Sequence, residues 1–355
     1  MGRQAELEPP SLVKYDAWGR RQDQVATCEG WKGQKAVSAR EGLVGLAYER
    51  HQGEASRVVQ AAKLYLYGAS SGLFNCPLAM TDGAARLCEV LRSRHPELGE
   101  AFSHLTSRDP GTFWTSGQWM TEKAGGSDVA TGTQTLAVPE VAGSGGIGAW
   151  HRLTGYKWFT SAADGEMAMA LARELDSSGR PEPGNRGLSL FYVPIVRDDQ
   201  GCPQGFEVVR LKDKLGTKQL PTAELALDGL RALKVCDVIV AWMQEGRAWL
   251  SWEGRGKLRG EGPDPQTLLF RGSCSPHQST VQYLHPAANS TLHSFPSPNP
   301  GTAQISEMGR GVPLIATMVN ITRYHNACAA TSLMRRITAL AQVGRLRWGS
   351  AASTD

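Results

Sequence analysis

The spacing of the apolar residues changes four times along this chain, and those changes restrict the folds open to it. From about 33 to 107 apolar positions recur at helical spacing. Lys35–Arg50 places Val37, Leu43, Val44, Leu46 and Ala47 near one face, and Ser56–Leu66 and Asp82–Ser93 repeat the pattern. Ser56 and Asp82 read as helix N-caps, and Tyr67–Gly72 is a break rich in turn formers. From about 112 to 232 the runs LAVPEV, RLTGYKWFTSA, MAMALARE, LSLFYVPI, FEVVRL and AELALDGL are short and strand-like. Turn clusters separate them, which predicts an antiparallel barrel or sandwich. From about 233 to 304 no period survives, and Ser/Pro/His/Asn-rich text cannot bury a face of its own. Val312–Ala341 then reads as one long helix, after which 343–355 loses the pattern. The class predicted is α+β.

Length and composition narrow the function. The 355 residues allow two domains or one with an appendage. A net charge of +4, from 38 Lys+Arg against 34 Asp+Glu, is too small to imply a nucleic-acid partner. No apolar run approaches membrane-span length, and MGRQAELEPP resembles neither a signal nor a transit peptide. Seven scattered cysteines without a CxxC pair fit reduced thiols, so an intracellular and foremost cytoplasmic location is expected, with mitochondria or peroxisomes as alternatives.

Two tempting motifs are set aside. Gly143–Gly148 matches G-x-G-x-x-G, but the text after it leads into another strand, so a hairpin loop is predicted instead of a dinucleotide site. His277, His285 and His293 lie in the aperiodic stretch without metal-ligand partners, and no metal is expected.

Met120–Val129 (MTEKAGGSDV) is the most informative segment. It offers hydroxyls from Thr121 and Ser127 and backbone N–H groups around two glycines. Such a surface suits the edge of a polar heterocycle or a phosphate, although simple turns share this composition. Together with Thr154–Ser161 (TGYKWFTS), Leu211–Gly216 (LKDKLG), Met308–Gly311 (MGRG) and Ala79–Ala85 (AMTDGAA), it resembles the acyl-CoA dehydrogenase family, most closely the AidB-like branch. The resemblance covers about 35–232 and 305–342.

The resemblance implies an N-terminal helical domain over 1–111, a central antiparallel β-barrel over 112–232, and over 305–355 the first helix of an incomplete C-terminal helical bundle, with 233–304, by its composition, an irregular insertion between them. It implies FAD as cofactor, with Met120, Thr121, Gly126 and Ser127 against the flavin or its phosphate portion. Phe159, Thr160 and Ser161 would line the other edge of the ring, while Trp158 reads as core. On the long helix Asn320 and Arg323 fall at the family's substrate side, with Ser127 also near substrate. The implied activity is FAD-dependent α,β-oxidation of an acyl-CoA thioester, by a homo-oligomer in the complete family fold.

The general base is not identifiable. In most of the family a Glu removes the α proton from a position beyond this chain's last residue, and in a minority from a position matching Thr322. The chain as it stands is therefore expected to be inactive, the alternative being a non-catalytic FAD or fatty acyl-CoA binding protein. Lys234–Val235, Gln304 and Gln342–Val343 fit splice-junction codons, which marks 235–304 and 343–355 as candidate intervening sequence; a genuine disordered insertion is the rival reading.

Overall fold

Strand β6 (Met167–Glu174) is buried on both faces, and its sequence MAMALARE shows why. Met167, Met169 and Leu171 join an apolar cluster with the helices, while Ala168, Ala170 and Ala172 face a second cluster inside a ring of strands. A ring of few strands leaves a narrow interior, so alanines line it and larger side chains meet the helical layer. The computed structural model describes residues 1–126, 128–175, 178–235 and 311–351.

The ring runs through β4 (Leu136–Pro139), β5 (Trp150–Ser161), β9 (Thr222–Val235), β7 (Leu188–Pro194) and β6, and the β6–β7 pairing closes it. Strand β3 (Ser116–Trp119) adds to β6, and β8 (Phe206–Leu211) adds to β9. The middle is thus a five-strand closed barrel, but it is not wholly antiparallel as expected: β6 pairs in parallel with both β3 and β4. Parallel neighbours need a long connection, which the excursion through β5 supplies; side-chain alternation carries no sign of direction. The glycine-rich loop Gly143–Gly148 joins the antiparallel pair β4–β5, as its sequence predicted.

The N-terminal part is not helical throughout. After α1 (Gly2–Leu7) comes a hairpin of β1 (Ser11–Tyr15) and β2 (Arg21–Ala26), then α2 (Glu29–Arg40), α3 (Leu46–Glu49), α4 (Ser56–Gly68), α5 (Asn75–Leu91) and α6 (Pro96–Leu105). The hairpin lies on β8: Lys14 Nζ donates to Val208 O at 2.7 Å and Val208 N donates to Asp23 Oδ2 at 3.0 Å. The helix expected over Lys35–Arg50 breaks between α2 and α3, where Gly42 takes a positive φ of 60°. Neither expected cap exists: α4 has no side-chain cap, and Asp82 lies inside α5, fully buried. Asp82 is there because a buried cation needs it, as shown below.

The long C-terminal helix α8 (Gly311–Ala351) packs on α4 and α5. Met318, His325 and Ser332, seven residues apart, are buried among its described side chains, so one side of every second turn there faces the N-terminal helices. Gly83 permits the approach: a Cβ there would lie 3.2 Å from Met318 Cα. The helix does not stop where the apolar pattern stops at 342, because intrahelical bonds propagate without a packed face once a helix is nucleated. Among the described residues no helix is long and apolar enough to cross a membrane. Residues 233–235, expected to open the irregular insertion, instead complete β9, where Val235 pairs with Leu190. The remainder of that reading, with His277, His285 and His293, lies outside the described residues.

Candidate functional site

The end of β5 is shaped by a one-residue register shift against β9. Lys157 faces Leu225 and Thr160 faces Ala223, so Trp158 and Phe159 together oppose Glu224. Such an irregularity re-aims side chains, and here two consecutive aromatics both turn outward. Phe159 is 44% exposed, whereas Lys157 and Thr160 on either side are buried. Thr160 Oγ1 donates to Ala223 O at 2.8 Å, so its hydroxyl is engaged within the barrel wall. Ser161 returns to the outer face beside Phe159, its hydroxyl 3.1 Å from Thr222 Oγ1 with capacity for a further bond.

Trp158 is not the core residue its sequence suggested. Its half-buried indole has Lys212 Nζ 3.0 Å from the ring centroid and Lys123 Nζ at 5.2 Å, a cation–π arrangement. Glu224 steadies Lys212 and also accepts from Tyr156 OH at 2.6 Å and Arg210 Nε at 2.9 Å. Burial would raise the Glu224 carboxyl, but its bonds from Arg210, Lys212 and Tyr156 prevail and hold it at about 2.

The second segment follows β3. Trp158 N donates to Thr121 O at 2.9 Å, which sets Met120 and Thr121 beside the end of β5. The chain then turns through Gly126, exposed and at φ 54°, into the short helix α7 (Val129–Gly132). Asp128 caps α7, accepting from Ala130 N at 3.1 Å and Thr131 N at 3.2 Å. Gly125 and Gly132 touch backbone to backbone: a Cβ on Gly132 would fall 2.0 Å from Gly125 Cα. Ser127 lies outside the described residues.

Glu122 and Lys157 join the two segments beneath the surface. Lys157 Nζ lies 2.6 Å from Glu122 Oε1 and donates to Leu171 O at 2.7 Å, with both side chains almost wholly buried. Glu122 also accepts from Gln134 N at 2.7 Å and Thr135 Oγ1 at 2.6 Å. Burial works to raise this carboxyl, but the Lys157 charge and these bonds hold it below the ordinary value.

On α8, Asn320 and Arg323 are exposed, with Arg323 Nη1 donating to Asn320 Oδ1 at 3.2 Å. Among the described residues neither makes a polar contact with the barrel. The helix itself is fixed by Asp82. That carboxylate receives Arg57 Nη1 at 2.6 Å, Gln60 Nε2 at 2.9 Å, Tyr48 OH at 2.6 Å and His325 Nε2 at 2.8 Å, gathering α3, α4, α5 and α8 at one point. Burial opposes its charge, yet Arg57 and His325 hold it far below the usual carboxylate range.

Sequence reasoning missed Glu122, Lys157 and Asp82 as structural centres. A usable signal existed for one of them: Lys157 shares strand parity with the buried Leu153, so a lysine pointing inward demanded a buried carboxylate. Nothing local marked Glu122 or Asp82 as partners.

The comparisons agree with this architecture. Residues 1–109 match the family described as adaptive response protein AidB N-terminal domain, and 117–230 match acyl-CoA dehydrogenase, middle domain. The chain belongs to the acyl-CoA dehydrogenase family. It is 40% identical to acyl-CoA dehydrogenase family member 11 of Caenorhabditis elegans over 96% of this chain and 43% of that one. It is 32% identical to the putative acyl-CoA dehydrogenase AidB of Escherichia coli, over 63% of this chain and 40% of that one. The structure of C. elegans ACDH-11 in complex with C11-CoA superposes with a TM-score of 0.71 at 40% identity, over 96% of this chain and 45% of that one. The apo form of Bd2924 gives 0.70 at 40% identity, over 96% of this chain and 52% of that one. The chain spans less than half the length of both curated relatives.

Proposed function

We propose that this chain carries the flavin-facing part of an FAD-dependent enzyme that oxidises an acyl-CoA thioester between its α and β carbons. The observation that carries this is the outward pair Phe159 and Ser161 on β5, held beside Met120 and Thr121 by the Trp158 N–Thr121 O bond. An exposed aromatic face next to a hydroxyl with spare bonding capacity suits a planar, heteroatom-edged ring. The residues present therefore fit FAD, whose chemistry when bound is to accept the hydride from the β carbon. Phe159 packs against the ring, Ser161 bonds its edge, and the peptide groups from Met120 to Gly126 line the opposite rim. Thr160 contributes through its backbone, since its hydroxyl is committed to Ala223. Asn320 and Arg323 stand on the substrate side, and Ser127 belongs to the same proposal. Because ACDH-11 was crystallised with C11-CoA, that thioester is the natural first probe.

A second reading, binding of FAD or acyl-CoA without turnover, has one observation in its favour. Thr322 stands where a minority of the family places the base, and its hydroxyl donates to Val319 O at 2.9 Å. A threonine so engaged removes no α proton. The visible spectrum of the purified chain with added FAD separates the readings. A bound flavin bleached by C11-CoA supports oxidation, a bound flavin unchanged by it supports binding alone, and no bound flavin refutes oxidation and FAD binding alike, leaving acyl-CoA binding to be tested by titration with C11-CoA.

A further inference from the structure

We infer that the buried Glu122–Lys157 pair is a positioning device that sets the flavin-facing loop against β5, an inference that rests on the function proposed above. The pair sits where both ends of the 120–135 segment meet the barrel. Glu122 opens the segment's first turn, its carbonyl accepting from Gly125 N at 3.3 Å and Gly126 N at 3.1 Å. Its carboxylate reaches across to Gln134 N and Thr135 N, which close the segment. Lys157 then ties that carboxylate to β5 and, through Leu171 O, to β6. One ion pair thereby fixes entry, exit and floor of the loop.

The location matters because Lys157 immediately precedes the outward aromatics. Displacing it moves Trp158, whose amide holds Thr121, and Phe159 with it. A second cation braces the far half of the loop: Arg173 donates to Thr133 O at 3.0 Å and Ala130 O at 2.8 Å. Loss of the Glu122–Lys157 pair therefore loosens the first half, 121–126, more than α7. A buried pair adds little net stability over a well-packed apolar replacement, because desolvation cancels much of the attraction. What it supplies is a unique geometry, which is what a cofactor rim requires.

The test compares the full chain with Glu122→Gln, Lys157→Met and the double variant, which removes both charges at similar volume and so avoids leaving one buried charge alone. Amide exchange of 121–126 is measured against β7 as internal reference, and FAD affinity by quenching of flavin fluorescence. The double variant is expected to unfold cooperatively, to exchange at least tenfold faster in 121–126 with β7 unchanged, and to bind FAD at least tenfold more weakly. Unchanged exchange in 121–126 overturns the inference, as does faster exchange with unaltered FAD affinity. If the unsubstituted chain takes up no FAD, the functional proposal fails while the exchange comparison still decides whether the pair holds the loop.

Discussion

His325 Nε2 on α8 lies 2.8 Å from Asp82 Oδ2 on α5, and both side chains are buried. The two are 243 residues apart in sequence, so this contact closes the N-terminal helices against the helix that follows the barrel. Asp82 also neutralises Arg57, which is mostly buried. Replacing Asp82 with Ala strands that guanidinium, and a stranded buried charge costs about 3–5 kcal/mol. Urea denaturation of Asp82→Ala should show a loss of that size. His325→Ala, which leaves the Arg57 pair intact, should cost clearly less; equal losses would show that His325, not Arg57, is the chief partner.

The α5–α8 contact depends on Gly83, where a Cβ meets Met318 backbone and side chain within 3.3 Å. Gly83→Val adds a Cβ and two methyl groups with no space for them, and α8 should lift from α5. Trypsin cleavage after Arg335 and Arg336, both exposed, reports the release. A cleavage rate equal to that of the unsubstituted chain would show that α8 is held by other contacts.

Gly132→Ala directs a methyl group into Gly125 Cα, a backbone atom with nowhere to go. The 120–135 loop must open, so FAD uptake should fall by more than tenfold while the barrel remains folded by far-UV circular dichroism. Unaltered uptake would mean that this loop does not form the cofactor rim.

Phe159→Ala removes the outward aromatic face without touching the barrel interior. An aromatic stack contributes about 0.5–1.5 kcal/mol beyond area burial, so FAD should dissociate roughly threefold to tenfold more readily. Ser161→Ala should shift the absorption maximum of bound flavin. Retention of both affinity and spectrum in these variants would move the flavin site elsewhere.

Stability should fall on acidification in two windows. Burial lowers His95 and His151 below their ordinary 6.5, so the folded state favours their neutral form. Their contribution is present above 6.5 and is lost as pH falls through their folded values. Asp82, Glu122 and Glu224 are depressed below their ordinary 3.8 or 4.5, so their contribution is present above those values and lost beneath them. Asp164 works the other way, since burial raises its carboxyl and acid relieves it. Melting temperature should therefore decline gently below pH 6.5 and steeply below about 4.5; a maximum near pH 4 would refute this assignment.

The strands were legible because short apolar runs stand between turn clusters: MAMALARE alternates large and small side chains, and LSLFYVPI is an almost continuous apolar run buried on both faces. The hairpin β1–β2 was not, since nearly all its residues are exposed or half-buried and carry little apolar alternation. Short β3 was missed for a different reason: SGQW is too brief for any period to register.

The sequence by itself determined most of the local elements and, through MTEKAGGSDV and GYKWFTS, the family resemblance on which the cofactor proposal rests. Tertiary structure decided what the residues inside those segments do. The shift that turns Trp158 and Phe159 outward together exists only against β9, and Thr160 is withdrawn by the same pairing. Asp82 has the composition of a cap and the role of a buried counter-ion, because Arg57 and His325 reach it from helices that no local window contains. Periodicity records which face is apolar; the partner of a buried charge is set by distant chain, and only the folded molecule brings it within bonding distance.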